Sequence, residues 1–599
     1  MRFSKHILTA ISEARNCRLL LTAGFFVGLL VLNVLAWRGW SIEEASRLMP
    51  LRCPLFLLTG IQCPTCGLGR SVVAAAVGEW TFSFHYHPFG IPILLVFFAL
   101  TLALWLCPAR IGPFAAKLSS FFKTQRILLW ILIFLYAAWG FLRHADATDD
   151  PAYLKPLLPG VEATPIMTVG ETVPFTGDPS RSYRLVGIPD GMGAHKTPDG
   201  MIRLFVNHEL KKETVSQPIV GAPFQTGAFV SELLLTPDLK IVSGRPAFTT
   251  ILRGPDSQPA GGSLGRLCSG FLAGPHTGFD RFIYLAGEEA QGADTLDGRG
   301  GQAIAVANGI AYLLPEMGRY SKENVVVVPE TGIKTVVFGL EDGPHGLENQ
   351  LYLYVGEKKL SSLHPMERNG LVGGKLYFFK ATTTEKTDES KFHKSDGTIV
   401  GRWILLPNIS RMNDEELEKA SRASGSFNFD QLEDGTYDRR RPGLFYFVST
   451  GGSGVNRRGR LYKLSFDPKD PVNQPSTLEI LLEGDAGDPV ANPDNLDANE
   501  EGQLLIEEDT ASLKSFLAGR ANSLWLYDLK SGKLERVAEA LNRWEPSGGI
   551  DASAFFGPGS WLVNVQAHSI SSREASRLQG YDQDAYLAEG GQILLLKTR

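Results

Sequence analysis

After residue 107 this chain of 599 residues has one cysteine, Cys268, in the stretch LGRLCSGFLAGP. A lone thiol is most often a small buried hydrophobe. Among carboxylates it becomes a soft ligand for a transition metal. Carboxylates are placed for that role, because short apolar runs repeatedly end in acids. FVNHE ends at Glu209, YLAGEE at Glu288 and Glu289, and LIEED at Asp509. QLED carries Glu433, NPDN carries Asp494, and EPSGG opens on Glu545. Singly, each acid reads as solvated turn chemistry. Jointly, acids at corresponding strand ends converge and repel, and burying them unpaired is prohibitive. Cations resolve the conflict: calcium for hard oxygen ligands, iron where a thiolate takes part. The candidates at these ends are Glu209, Glu288, Glu289, Glu433, Asp434, Asp494, Asn495, Glu507, Glu508, Asp509, Glu545 and His568, with Cys268 as the soft ligand. There is no GxSxG elbow for a Ser-His-Asp esterase, and the Gly-rich stretches GSLG and TGGSGVNRRG lack P-loop spacing.

The elements that must position these residues are short strands. MIRLFVNHE, GAFVSELLL, RFIYLAGEE, QLYLYVGEK, GLFYFVST, GRLYKLSF, NSLWLYDL and GQILLLK recur with Gly, Asp, Asn and Pro between them. Helical periodicity is confined mainly to 413–423. Strands at this spacing over residues 166–599 predict an all-β domain, a six-bladed β-propeller whose strand ends meet at a central channel. Residues 144–165, rich in Pro and Asp, read as a linker.

Residues 1–143 differ in character. Three apolar runs, Leu19–Trp37, Phe89–Pro108 and Ile127–Leu142, predict an α-helical membrane domain of three transmembrane helices. The first run is long for a signal peptide and is expected to be retained. Basic residues before the first run and between the second and third place those segments in the cytoplasm. Everything after Leu142 is then outside it. The expected location is the bacterial cytoplasmic membrane, in contact with the lipid bilayer, with the propeller extracytoplasmic. The loop facing outward holds CPTCG, in which Cys63 and Cys66 could form a disulfide, a redox dithiol or half of a zinc site.

Two resemblances follow from these residues. Cys53, Thr59, Gly60, Cys63, Pro64, Cys66, Gly67 and Arg70, then Gly78, Glu79 and Pro88, resemble a small uncharacterised family of bacterial CPxCG membrane proteins over about residues 50–145. Gly69 stands where that family has Thr, and the resemblance carries no activity. IPDGMGAH, FVNHEL, GAFVSEL, GRLCSGFLA, YLAGEE, LYLYVGEK, FDQLEDGTYD, NPDNLDANEEGQLLIEED and EPSGGIDAS resemble the PhoX-type alkaline phosphatases, in the same order, over about residues 165–599.

The second resemblance implies a six-bladed propeller with iron and calcium in its channel, hydrolysing phosphate esters. It implies iron ligation by Cys268, with Glu209, the pair Glu288 and Glu289, and Glu433 as further ligands, and Asp494, Asp509 and Glu545 toward calcium. The chain departs from the family at Gln431, where the phosphatases have a phosphate-gripping arginine. A neutral amide cannot form a bidentate, charge-assisted clamp. Arg266, Arg319 and Lys358 are the substitutes to consider. Gln566-Ala567-His568 replaces a Q-H-P step, and the twin-arginine signal usual in the family is missing.

The formal net charge of -5 leaves no basic footprint for nucleic acid. The expected function is a membrane-anchored, extracytoplasmic, metal-dependent phosphoesterase acting on a small phosphate ester. The alternatives are a propeller hydrolase of a different ester, prompted by Gln431, and a noncatalytic calcium-binding propeller serving as a binding or envelope module.

Overall fold

In the computed structural model the chain divides into two compact units, Met1–Pro151 and Ala152–Arg599. The structure describes residues 152–254, 258–343, 346–452, 456–510, 520–541, 544–567 and 589–598, with residues 71, 91, 92 and 95 of the first unit. Cys63 and Cys66 lie outside the described residues, as does nearly all of the three apolar runs.

The second unit is built mainly of antiparallel strands around a ring of six innermost ones. These are Pro189–Lys196, Leu267–Ala273, Lys322–Val327, Leu432–Tyr437, Pro493–Ala498 and Glu545–Asp551. Each packs against the next, and the sixth against the first, so the ring is closed. From each, strands run outward: Leu267–Ala273 pairs with Ile283–Glu288, which pairs with Ala303–Ala307, which pairs with Gly309–Leu313. The two ends of the second unit meet in one sheet, where Glu162–Thr168 pairs with Gly590–Lys597. Such pairing joins the first and last parts of the ring without a covalent link.

The sequence expectation is corrected on two counts. Hydrogen bonding does not separate the strands into six blades. It gathers them into five sheets of four or more strands, since Thr398–Leu406 pairs with both Lys375–Ala381 and Ser476–Glu483 and fuses two sets into one sheet. The three-helix membrane domain is also not part of the described fold. The α-helices among the described residues are Pro365–Arg368, Asp414–Ala423 and Ser553–Phe556. None is long and apolar enough to cross a membrane. The stretch read as a linker contributes the strands Leu154–Pro156 and Glu162–Thr168, so the second unit begins at Ala152.

The one helix expected from periodicity forms for a local reason. Asn413 accepts from the Glu416 N–H at 2.9 Å, and the Glu416 carboxylate accepts from the Asn413 N–H at 3.0 Å. This reciprocal pair satisfies two donors at the helix start. Between sheets the core is apolar and dense. Phe338 is fully buried and stacks on Phe445 with centroids 4.2 Å apart. Burial of one such ring contributes about 1.5–3 kcal/mol.

Candidate metal centre

All six inner strands carry the same irregularity. The register with the neighbouring strand shifts between Pro189 and Met192, Leu267 and Gly270, Lys322 and Val325, Leu432 and Gly435, Pro493 and Leu496, and Ser547 and Ile550. Each shift is a bulge holding one extra residue, a device that re-aims side chains. The bulges hold Asp190-Gly191, Cys268-Ser269, Glu323-Asn324, Glu433-Asp434, Asp494-Asn495 and Gly548-Gly549. Five bulges therefore present a carboxylate or thiol to the channel, and the sixth presents glycines.

A second set comes from the next strands outward. The N–H groups of Glu209, Glu289, Asp342, Thr450 and Asp509 donate to the carbonyls of Ile188, Arg266, Ser321, Gln431 and Asn492 at 2.9–3.1 Å. Each donor follows the end of its strand, and each acceptor immediately precedes an inner strand. Four acceptors, Ile188, Arg266, Gln431 and Asn492, have φ between 26° and 57°. Left-handed backbone at non-glycine residues is strained and concentrates at functional sites.

Two tight groups result. The ligand atoms of Asp190, Glu209 and Cys268 lie within 4.8 Å of one another, and so do those of Cys268, Glu289 and Glu323. Cys268 is shared by both. Burial pushes its thiol well above the ordinary value, and the charges of Asp190, Glu323, Glu209 and Glu289 push the same way. Burial and the Glu209 charge raise Asp190 to about 7. Glu289, Glu323, Glu433 and Asp494 are raised first by burial and then by neighbouring carboxylates, with Arg266 opposing the rise at Glu289. Oε2 of Glu323 is buried without a hydrogen-bond partner. Acceptor-only groups crowded in this way are stable when a cation sits among them. The donor set fits a metal: one thiol shared by two carboxylate groups, with an orphaned carboxylate oxygen beside it.

Beneath the ligands runs a polar relay. The Ser547 hydroxyl bonds Asp190 and also donates to Asn495 Oδ1 at 2.7 Å. Asn495 Nδ2 donates to the Ser269 hydroxyl at 2.7 Å, which donates to Glu323 at 2.5 Å. Asp190 and Glu323, one from each group, are thus joined through neutral side chains. Close approach of the strands requires glycine at two points. A side chain at Gly191 would overlap the backbone of Cys268, Ser269 and Gly270, and one at Gly548 the backbone of Asp190.

Of the residues expected from sequence, the structure brings Glu209, Cys268 and Glu289 together. Glu433 lies near Glu323 and Glu289, and Asp494 near Glu433, Glu545 and Asp509. Glu288 is elsewhere, and this expectation is corrected. Its carboxylate accepts the N–H groups of Gly265, Leu296 and Gln302 at 3.1, 2.9 and 3.3 Å. Successive strand residues face opposite sides, so only the second acid of Glu288-Glu289 reaches the channel. Glu341-Asp342 divides in the same way: Glu341 accepts the Gln350 N–H at 2.8 Å, and Asp342 faces the site. Gln431 donates to Asp342 at 3.3 Å. Asp190, Glu323 and Asp342 were not found by the reading of strand-end acids. A repeated signal was present: IPDGM, RLCSG, SKENV, QLEDG and NPDNL each put an acid or thiol at the second strand position, before Gly, Ser, Asn or Asp.

The fold and site define a closed-ring β-propeller with a candidate metal centre in its channel. The propeller is PhoX-like: residues 311–547 match the family described as alkaline phosphatase PhoX. Residues 53–101 match a family described as a protein of unknown function, DUF2752. Among solved structures, Pseudomonas fluorescens PhoX in complex with vanadate, a transition state analogue, is similar at 13% identity and a TM-score of 0.54. That similarity covers 75% of this chain and 96% of that one, and it supports the fold. A gluconolactonase from Xanthomonas campestris is also similar, at 11% identity over 72% of this chain and 99% of that one, with a TM-score of only 0.29. No curated protein matches.

Proposed function

We propose that the propeller is a metal-dependent phosphoesterase of the alkaline phosphatase PhoX type. One observation carries this reading: the Cys268 thiol is common to two groups of carboxylates, each combining an inner-strand bulge acid with an acid at the end of the next strand outward. The match of residues 311–547 to the PhoX family supports the substrate class.

Asp190, Glu209, Cys268, Glu289 and Glu323 would hold iron, for which a thiolate among carboxylates is suited. Glu433, Asp494, Asp509 and Glu545 would hold calcium through hard oxygen ligands. When bound, such ions neutralise phosphoryl oxygens, lower the pKa of a water and orient the leaving group. The chain's own residues do the preparatory work. The bulges aim the ligands inward, and the Ser547–Asn495–Ser269 relay fixes Asp190 and Glu323. The backbone bonds at the strand ends hold Glu209 and Glu289 at the rim. Ligands held in place before the metal arrives lose little freedom on binding.

A second reading, hydrolysis of a different ester, is favoured by Gln431 alone. Its neutral amide is engaged with Asp342 and offers no charge to a phosphoryl group. An extracytoplasmic position of the propeller belongs to the proposal and rests on the distribution of basic residues in the first 126 positions. Protease accessibility of the propeller in intact cells with a permeable outer layer tests it.

The functional test uses the full chain, purified and analysed for metals. Iron with calcium, and turnover of a generic phosphomonoester, is the expected result. Iron with turnover only of another ester class would favour the second reading. Calcium alone with no hydrolysis would replace both with a noncatalytic binding propeller.

A further inference from the structure

We infer that Arg266 is the anion-binding residue of this site, the cation that holds a phosphoryl oxygen against the ligand cluster. The inference rests on the phosphoesterase reading and adds the residue that recognises the substrate's charge.

Arg266 immediately precedes the second inner strand and has φ 26°. The corresponding positions before four other inner strands are Ile188, Ser321, Gln431 and Asn492, all neutral. Among these five described positions a positive charge stands only at Arg266, two residues before Cys268. The guanidinium spans the two candidate groups. Nε donates to Glu209 Oε1 at 2.6 Å, and Nη2 meets Glu209 and also Glu289 Oε2 at 2.8 Å. Glu209 belongs to one group and Glu289 to the other.

Exposure sets the order from inside to outside. The Arg266 side chain is 41% exposed, against 10% for Glu209 and 4% for Glu289. The cation thus lies on the solvent side of the carboxylates, where an incoming ester arrives. Cations held by the two groups would neutralise Glu209 and Glu289. The guanidinium would then be left beside other positive charge, and an anion is the partner that satisfies it. Its planar fork suits a tetrahedral oxyanion in a way a lysine ammonium does not.

The other cations considered from the sequence are occupied elsewhere. Arg319 is buried, with Nη2 3.1 Å from Asp297 and Nη1 donating to the Ser410 carbonyl. Lys358 Nζ donates to the carbonyls of Gly332 and Lys334, both at 2.9 Å. Lys322 adjoins the ligand Glu323 in sequence, yet its Nζ is fully buried on the carbonyls of Gly301 and Gly318. None of the three reaches Glu209 or Glu289 as Arg266 does.

The test is binding of inorganic phosphate by metal-loaded full-length protein, measured calorimetrically beside its metal content and its phosphomonoester kinetics. Arg266→Gln is expected to keep the wild-type metal content. It is expected to weaken phosphate binding and raise KM by about 10- to 100-fold, the range of a lost charge-assisted contact. Arg266→Lys, which keeps the charge and packs similarly, is expected to fall between. Unchanged phosphate affinity in Arg266→Gln at full metal content would overturn the inference and leave the phosphoesterase reading standing. Loss of metal in step with loss of phosphate binding would also overturn it, making Arg266 a positioning residue for Glu209 and Glu289. A metal-loaded wild-type protein that neither binds phosphate nor hydrolyses the ester would remove the phosphoesterase reading itself, and this inference with it.

Discussion

Asn495 donates through Nδ2 to the Ser269 hydroxyl at 2.7 Å, a bond between inner strands whose residues are 226 positions apart. Its Oδ1 accepts from Ser547 at 2.7 Å and from the Gly548 N–H at 3.1 Å. A neutral amide, donor on one side and acceptor on the other, therefore couples the hydroxyls that hold Asp190 and Glu323. Asn495→Leu keeps the volume and breaks both links. It should weaken metal affinity about 10- to 100-fold, the usual cost of losing a partner that orients a ligand. Equilibrium dialysis against buffered metal measures this. Unaltered affinity would show that the relay does not position the ligands.

Asp190 and Glu288 make a discriminating pair. Asp190→Asn removes a carboxylate from one candidate metal group and should lower metal content while the protein stays folded. Glu288→Gln instead disturbs a buried carboxylate on three backbone N–H groups. It should leave bound metal intact per folded molecule and cost about 1–3 kcal/mol of stability. Metal analysis and chemical denaturation on both variants separate the roles. The opposite assignment of losses would reverse the placement of the two acids.

Gly191→Ala tests how closely the first two inner strands approach. The added carbon would overlap the backbone of the Cys268 bulge, so the strand carrying the thiol must move. A displacement of about 1 Å in a catalytic constellation lowers activity on the order of 100-fold. Activity should thus fall more steeply than stability, as read from kcat/KM beside a melting curve. Normal turnover would show that the bulge tolerates the shift.

Glu483 gives a pH signature remote from the channel. Burial alone would raise its carboxyl, but bonds from His393, the Lys394 N–H and Arg460 more than offset that and hold it below the ordinary 4.5. Its folded-state pKa is depressed, so its contribution is complete above 4.5 and is lost as pH falls through the folded value. Urea midpoints between pH 6 and pH 3 should show wild type losing its advantage over Glu483→Gln as the pH drops. A constant gap would exclude the pairing.

How much of this was legible in the sequence differs by feature. The strand-end acids were legible, because apolar runs ending in carboxylates are visible in YLAGEE and LIEED. Which acid of a pair faces the channel was not taken from them, though strand alternation decides it and would have removed Glu288. Asp342 ends the same kind of run, in FGLED. Asp190 and Glu323 lie at strand starts, where the bulge, and not simple strand alternation, decides which way a side chain faces. The repeat from IPDGM to NPDNL marks those bulges, but successive segments start 55 to 110 residues apart and share little beyond one acid or thiol and a small polar neighbour. Sheet number was not legible either. It depends on the pairing of Thr398–Leu406 with Ser476–Glu483, a contact across some 70 residues that no local pattern encodes.

The most direct measurement is metal content by mass spectrometry on full-length wild type, Cys268→Ser and Glu323→Gln, purified in parallel with phosphomonoester turnover recorded. The two candidate metal groups meeting at one thiol predict that wild type carries iron. Cys268→Ser should lose iron and turnover together, and Glu323→Gln should lose part of both. Wild-type iron and full turnover retained in Cys268→Ser would contradict the account.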